Sequence, residues 1–141
     1  MNQVVVKQEK SGYQIVEAYK SLRTNLQFCG EDKKVIAVTS CTPNEGKSSV
    51  SMQLGISLAE SGKRVILIDA DLRKSVLLGR TKTQKSVRGL AHFLSGQATL
   101  EDVICSTNVK NFYMIYSGPF PPNPAELLGG KNFRSLLNAL R

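Results

Sequence analysis

Three consecutive residues, Gly46, Lys47 and Ser48, carry the types needed to hold a chain of phosphates. A glycine permits close backbone approach, the lysine supplies a point charge for the outer phosphates, and a hydroxyl at the next position suits one vertex of an octahedral Mg²⁺. They close a Walker A-like stretch, Ser40 to Ser49, in which Cys41 stands where the regular pattern has its first glycine. Thr42, Pro43, Asn44 and Glu45 form the body of that loop, and Ser49 follows it. Two carboxylates come next in the argument. Asp69 ends the apolar run Val65-Ile66-Leu67-Ile68, and Asp71 lies two residues on. A strand-end aspartate near a phosphate loop is costly to bury unless a metal or hydrogen bonds satisfy it, so the pair suits metal binding and proton acceptance. The plainer alternative is a capped loop in which both carboxylates accept backbone N–H groups.

These residues need elements to position them. Val35 to Val38 reads as a β-branched strand before the loop, and Val50, Leu54 and Leu58 mark a helix after it, ending at Gly62. Val65 to Ile68 reads as a second buried strand, and its unbroken apolar run predicts a parallel sheet covered by helices on both faces. That setting of strand, loop and helix argues against a chance Gly-Lys-Ser in an ordinary turn. Backbone N–H groups at the start of such a helix hold phosphate oxygens without reorganising. Asn111 to Tyr116 reads as a third strand.

Elsewhere, residues 1–12 read as a flexible arm and residues 14–28 as an amphipathic helix with Ile15, Tyr19, Leu22 and Leu26 at helical spacing. Its other side carries Glu17, Lys20 and Arg23, which either solvate the surface or pair with the same helix of another subunit. Two short helices are expected between Ser86 and Cys105, a rigid loop at Gly118 to Pro124, and a last helix striped by Phe133, Leu136, Leu137 and Leu140. His92, the single histidine, has no partner at metal or catalytic spacing and reads as structural or surface.

At 141 residues, 41% apolar and 21% charged, the chain fits a single globular domain with a nucleotide-binding core at 34–141. No run approaches the roughly 18 apolar residues of a membrane span, and the three cysteines show no metal spacing, which favours a reducing cytoplasm. The net charge of +8 concentrates in Arg73, Lys74, Arg80, Lys82, Lys85 and Arg88, with no acid between Asp71 and Glu101. Such a patch fits nucleic acid, an anionic membrane face, an acidic partner tail or the nucleotide phosphates, or is a solvated basic loop. The last apolar stripe still runs at Arg141, and outside Val65 to Asp69 no apolar strand-like run ends in an acid to serve as Walker B. A piece of a larger sheet domain is therefore expected, with an uncovered sheet edge.

Taken in order, the motifs resemble the bacterial tyrosine kinases of capsule and exopolysaccharide synthesis. Glu17 to Leu26 resembles the family's helix motif of a glutamate and two basic residues, with Lys20 where the first arginine usually stands. Ser40 to Ser49 is similar to its phosphate loop, Ile68-Asp69-Ala70-Asp71-Leu72-Arg73 to its second Walker A motif, and Ser117 to Leu128 to its proline loop. The resemblance implies an α/β, P-loop NTPase-like fold with a mainly parallel sheet flanked by helices. It implies ATP and Mg²⁺ as cofactors, with residues 42–49 and Arg73 around the nucleotide. Ser48, Asp69 and Asp71 would hold the metal, and Lys47, Asp69 and Asp71 would act in transfer to a tyrosine hydroxyl. Glu17, Lys20 and Arg23 would serve homo-oligomerisation, and a membrane-bound polysaccharide co-polymerase would activate the chain at the inner face of the plasma membrane.

Neither the Walker B acid nor the family's C-terminal tyrosine cluster is present, so weak ATP binding and poor catalysis are expected of the chain as it stands. A partitioning-type ATPase has a similar core, but it carries a second lysine early in the loop, where this chain has Thr42; no nucleic-acid partner is expected. A non-catalytic, nucleotide-binding adaptor is the other alternative.

Overall fold

The computed structural model describes residues 1–7, 12–39, 46–73, 81–83 and 87–141. In chain order the elements are β1 (Asn2–Val6), α1 (Tyr13–Phe28), α2 (Lys47–Glu60), β2 (Val65–Ile68), β3 (Thr81–Thr83), α3 (Leu90–Leu94), α4 (Leu100–Val103), β4 (Cys105–Thr107), β5 (Phe112–Ile115), α5 (Pro124–Leu128) and α6 (Lys131–Leu140). Five strands form one sheet in the order β2-β5-β4-β1-β3. The pairs β2–β5 and β1–β4 are parallel, as the apolar run of β2 predicts, while the three-residue strands β3 and β4 add the antiparallel pairs β1–β3 and β4–β5.

Side chains of β5 alternate between two cores, as the period of a strand requires. Phe112 and Met114, with Tyr116 beyond the strand, join Met52, Ile56 and Ala59 of α2 and Val4 and Val6 of β1. Ile115 joins Leu90 and Leu94 of α3, Val103 of α4 and Leu136 of α6. Helices thus cover both faces of the sheet. Each large apolar side chain removed from water in these cores contributes about 1.5–3 kcal/mol.

Two expectations are corrected. Residues 2–6 are not part of a flexible arm: β1 pairs with β4 and β3, Val4 and Val6 are each 2% exposed, and Val5 points out at 51%. A run of three valines hides the period of two that places Val4 and Val6 in the core. The second correction concerns residues 35–38, expected to be the strand before the phosphate loop. They belong to no strand and make no backbone hydrogen bond among the described residues. Strand formation needs a neighbour, and no described strand lies beside them.

Two glycines are explained by geometry. Gly55 lies where α2 crosses β5, and a Cβ there would stand 2.7 Å from Cε2 of Phe112, so its absence lets helix and strand approach. Gly46, with φ of +80°, turns the chain into α2 through the left-handed region that other residues enter at a cost.

Candidate functional site: the start of α2 and the end of β2

Helix α2 begins at Lys47, directly after the left-handed turn at Gly46. The N–H of Val50 donates to the Gly46 carbonyl at 2.9 Å, and the Ser51 hydroxyl donates to the Lys47 carbonyl at 2.7 Å, which fixes the first turn. The N–H groups at a helix start have no intrahelical acceptor and sit at its positive end, which makes this turn a natural anion cradle. Lys47 and Ser48 are both half-buried there.

Strand β2 delivers the carboxylates. The Asp69 N–H donates to the Ile115 carbonyl at 2.9 Å, so the parallel ladder with β5 carries one residue past the strand and fixes where the turn begins. Asp69 Oδ1 then accepts the N–H of Asp71 at 3.1 Å, and Asp71 Oδ1 accepts the N–H of Arg73 at 3.2 Å. These two bonds realise the capped-loop geometry while leaving the second oxygen of Asp71 pointing elsewhere. Asp71 Oδ2 lies 3.8 Å from Lys47 Nζ. At about one-third side-chain exposure on both partners, this contact is worth at most about 1 kcal/mol. Its value is positional: it brings the loop lysine and the strand-end acids to one place.

Lys47, Ser48, Asp69 and Asp71 line one cavity of about 590 Å³. A hydroxyl and two carboxylates are hard oxygen donors. Among the described residues no group of three or more His, Cys, Asp or Glu stands together to hold a metal by itself. A cation at this place would therefore complete its shell with phosphate oxygens and water, the habit of a small hard ion. The residues fit a nucleotide–metal pair better than a resident metal.

Other candidates fall differently. Thr42, Pro43, Asn44 and Glu45 lie outside the described residues, as do Lys74, Arg80 and Lys85. Arg73 is exposed, and Arg88 donates to the Gln97 carbonyl at 2.6 Å. On α1, Lys20 pairs with Glu17 at 3.5 Å. Arg23 instead turns toward α2, donating to the Ser57 carbonyl at 2.8 Å and to its hydroxyl at 3.2 Å. Sequence reasoning grouped Arg23 with the outward charges and missed this contact, because nothing in the pattern marks Ser57 as its acceptor. His92 is structural as expected, its Nδ1 accepting the N–H of Gly89 at 3.0 Å at the start of α3. Also missed was the share of α6 in the cavity: Phe133, Leu137 and Leu140 line it together with Val35 to Val38.

Comparison with known proteins settles the family. Residues 33–129, most of the chain, match the model of an AAA domain. The chain belongs to this family. It is 43% identical over 125 residues to the tyrosine-protein kinase CpsD of Streptococcus agalactiae, covering 89% of this chain and 55% of that protein. It is 39% identical over 122 residues to the tyrosine-protein kinase YwqD of Bacillus subtilis, covering 85% and 51%. Among solved structures, the BceF tyrosine kinase domain superposes with a TM-score of 0.79 at 43% identity, over 89% of this chain and 50% of that one. The kinase domain of the Escherichia coli tyrosine kinase ETK superposes equally well, at 35% identity over 89% and 49%. The resemblance to the bacterial tyrosine kinases and the P-loop α/β fold both hold. The chain spans about half the length of the curated relatives it matches.

Proposed function

We propose that this chain is the nucleotide-binding half of an ATP-dependent protein-tyrosine kinase regulating capsular or exopolysaccharide synthesis. One observation carries the reading: Lys47, at the first position of α2, meets Asp71, in the turn after β2, at 3.8 Å. In phosphoryl transfer the protein mainly positions phosphates and neutralises developing charge. Here the first turn of α2 would hold the β- and γ-phosphates, with Lys47 exchanging Asp71 for phosphate oxygen. Ser48, Asp69 and Asp71 are the residues to hold Mg²⁺, which when bound screens the phosphate charge. One of the two aspartates is then the acceptor for the tyrosine hydroxyl proton. Arg73 and residues 42–45 and 49 complete the nucleotide contacts in this reading.

Around the site, α1 leaves Tyr13, Ile15, Val16 and Leu22 exposed beside the Glu17–Lys20 pair, a surface suited to a homo-oligomer. Among the described residues no helix is long and apolar enough to cross a membrane. A membrane-bound polysaccharide co-polymerase is the proposed activator, recruiting a cytoplasmic chain to the inner face of the plasma membrane. The test is phosphotyrosine formation from Mg·ATP with the cytoplasmic tail of such an activator, comparing this chain, a form lengthened to match the relatives, and Lys47→Met in each. Transfer in the lengthened form that Lys47→Met abolishes supports the reading; transfer that survives the substitution contradicts it.

A nucleotide-binding adaptor without transfer is the alternative outcome of the same test. Saturable ATP binding with no phosphotyrosine in either length of chain selects it.

A further inference from the structure

The end of β5 stands beside the carboxylates. Ile68 is in register with Ile115, and the ladder runs on through the Asp69 N–H to the Ile115 carbonyl. The chain that leaves β5 thus starts about one strand spacing, ~4.8 Å, from the chain that carries Asp69 and Asp71. β5 takes one edge of β2, and the cavity shared with residues 34–38 and the start of α2 takes the other. The acids lie between the phosphate cradle and the loop that follows β5. That loop, residues 118–123, is held at both ends. At its start the N–H groups of Leu90 and Ala91 donate to the carbonyls of Tyr116 and Ser117 at 2.6 and 2.9 Å, and Gly118 turns through φ of +78° against Gly89, where a Cβ would collide with the Gly118 backbone. At its end the Leu127 N–H donates to the Asn123 carbonyl at 3.2 Å, and Asn123 Nδ2 donates to Glu126 Oε2 at 3.3 Å. In between, Pro119, Pro121 and Pro122 each fix φ near about −65°. A single exposed phenylalanine needs no explanation by itself. Phe120, 55% exposed, differs in being displayed on a backbone with little freedom to withdraw it, so contact with a ligand orders little that is not already ordered.

We propose that Phe120 and its flanking prolines hold the peptide segment next to the acceptor tyrosine and select apolar residues on it. The proposal rests on the kinase reading and names a specificity determinant for it. In transfer the tyrosine oxygen bonds to the γ-phosphorus as the bond to ADP breaks, and the hydroxyl proton passes to one of the aspartates. An in-line path admits the tyrosine on the side of the γ-phosphate away from ADP, which is the side of the acids and the loop. A segment anchored by its tyrosine at Asp71 reaches the loop within about three to five residues, at ~3.3 Å each. Residues 118–123 carry no charge, so the flank they recognise is apolar or aromatic rather than ionic.

The experiment takes the form lengthened to match the relatives, with the activator tail and saturating Mg·ATP, and two synthetic peptides of equal length. In one the tyrosine is flanked by leucine and valine, in the other by glycine and serine. The expected result is a kcat/KM at least tenfold higher for the apolar peptide, the difference lying in KM. Phe120→Ala should raise the KM of the apolar peptide to that of the other, with ATP affinity unchanged by titration, and Phe120→Leu should restore most of the preference. A preference that survives Phe120→Ala, or a loss that lies in kcat for both peptides, overturns the proposal. So does a loss confined to the response to the activator tail, which assigns the loop to that partner. Phosphotyrosine on neither peptide in the parent contradicts the kinase reading and this inference together; equal kcat/KM on both contradicts this inference alone.

Discussion

Gly55 shows at the residue scale how tightly α2 is pressed on the sheet. Ala is the better helix former by about 1 kcal/mol, yet its Cβ would stand 2.7 Å from Phe112, a ring 1% exposed at the centre of the core. Overpacking of this kind costs about 1–3 kcal/mol, so net of the helix gain Gly55→Ala should lower stability by up to about 2 kcal/mol in chemical denaturation. Adding Phe112→Leu to that variant should cost less than Phe112→Leu costs alone, because the two sites share one space. The cysteines separate in the same way. Burial pushes the Cys105 thiol up and it donates to the Val103 carbonyl, whereas Cys29 is exposed near the end of α1. Less thiolate and no access predict that iodoacetamide labels Cys29 in the native protein and Cys105 only after unfolding, as peptide mapping would show. A pH effect belongs to α4. The backbone N–H and hydroxyl of Thr99 hold the Asp102 carboxyl below its ordinary value. A lowered folded value means that its stabilisation is complete above the unfolded value and is lost as pH falls through the folded one. Asp102→Asn should therefore flatten the acid side of the stability profile.

At the scale of elements, α1 is lightly secured. It contains no buried residue, and Arg23 is its recorded polar tie to α2. A charged donor on a part-buried carbonyl contributes about 1.5–3 kcal/mol. Arg23→Ala should therefore raise amide exchange across residues 13–28 while leaving β5 protected. Lys at this position should rescue only partly, since an ammonium lacks the fork that reaches both acceptors of Ser57. Most elements were legible because their signals are local: the period of α1, the apolar run of β2 and the stripe of α6. What was not legible depends on neighbours. Three successive valines conceal the alternation of β1, and strand β4 is too short to announce itself beside α4. Residues 35–38 have strand chemistry but no partner strand among the described residues, and composition cannot report that.

For the molecule as a whole, the candidate site was legible to the extent that it is written in consecutive residues. Gly46 to Ser48 and Asp69 to Asp71 come together because one parallel ladder, β2 on β5, aims the acids at the start of α2. The share of α6 in their cavity was not, since Phe133, Leu137 and Leu140 are distant from both in sequence. Among the described residues β2 is an edge strand of a sheet that helices cover on both faces. The part present holds the phosphate loop and the strand-end acids, and so should retain nucleotide affinity even where transfer is poor. The most direct measurement is calorimetric titration of this chain with Mg·ATP beside Lys47→Met. The account predicts saturable one-site binding that weakens at least tenfold, about 1.4 kcal/mol or more, in the variant. Equal affinity in the two proteins, or no binding to either, would contradict it.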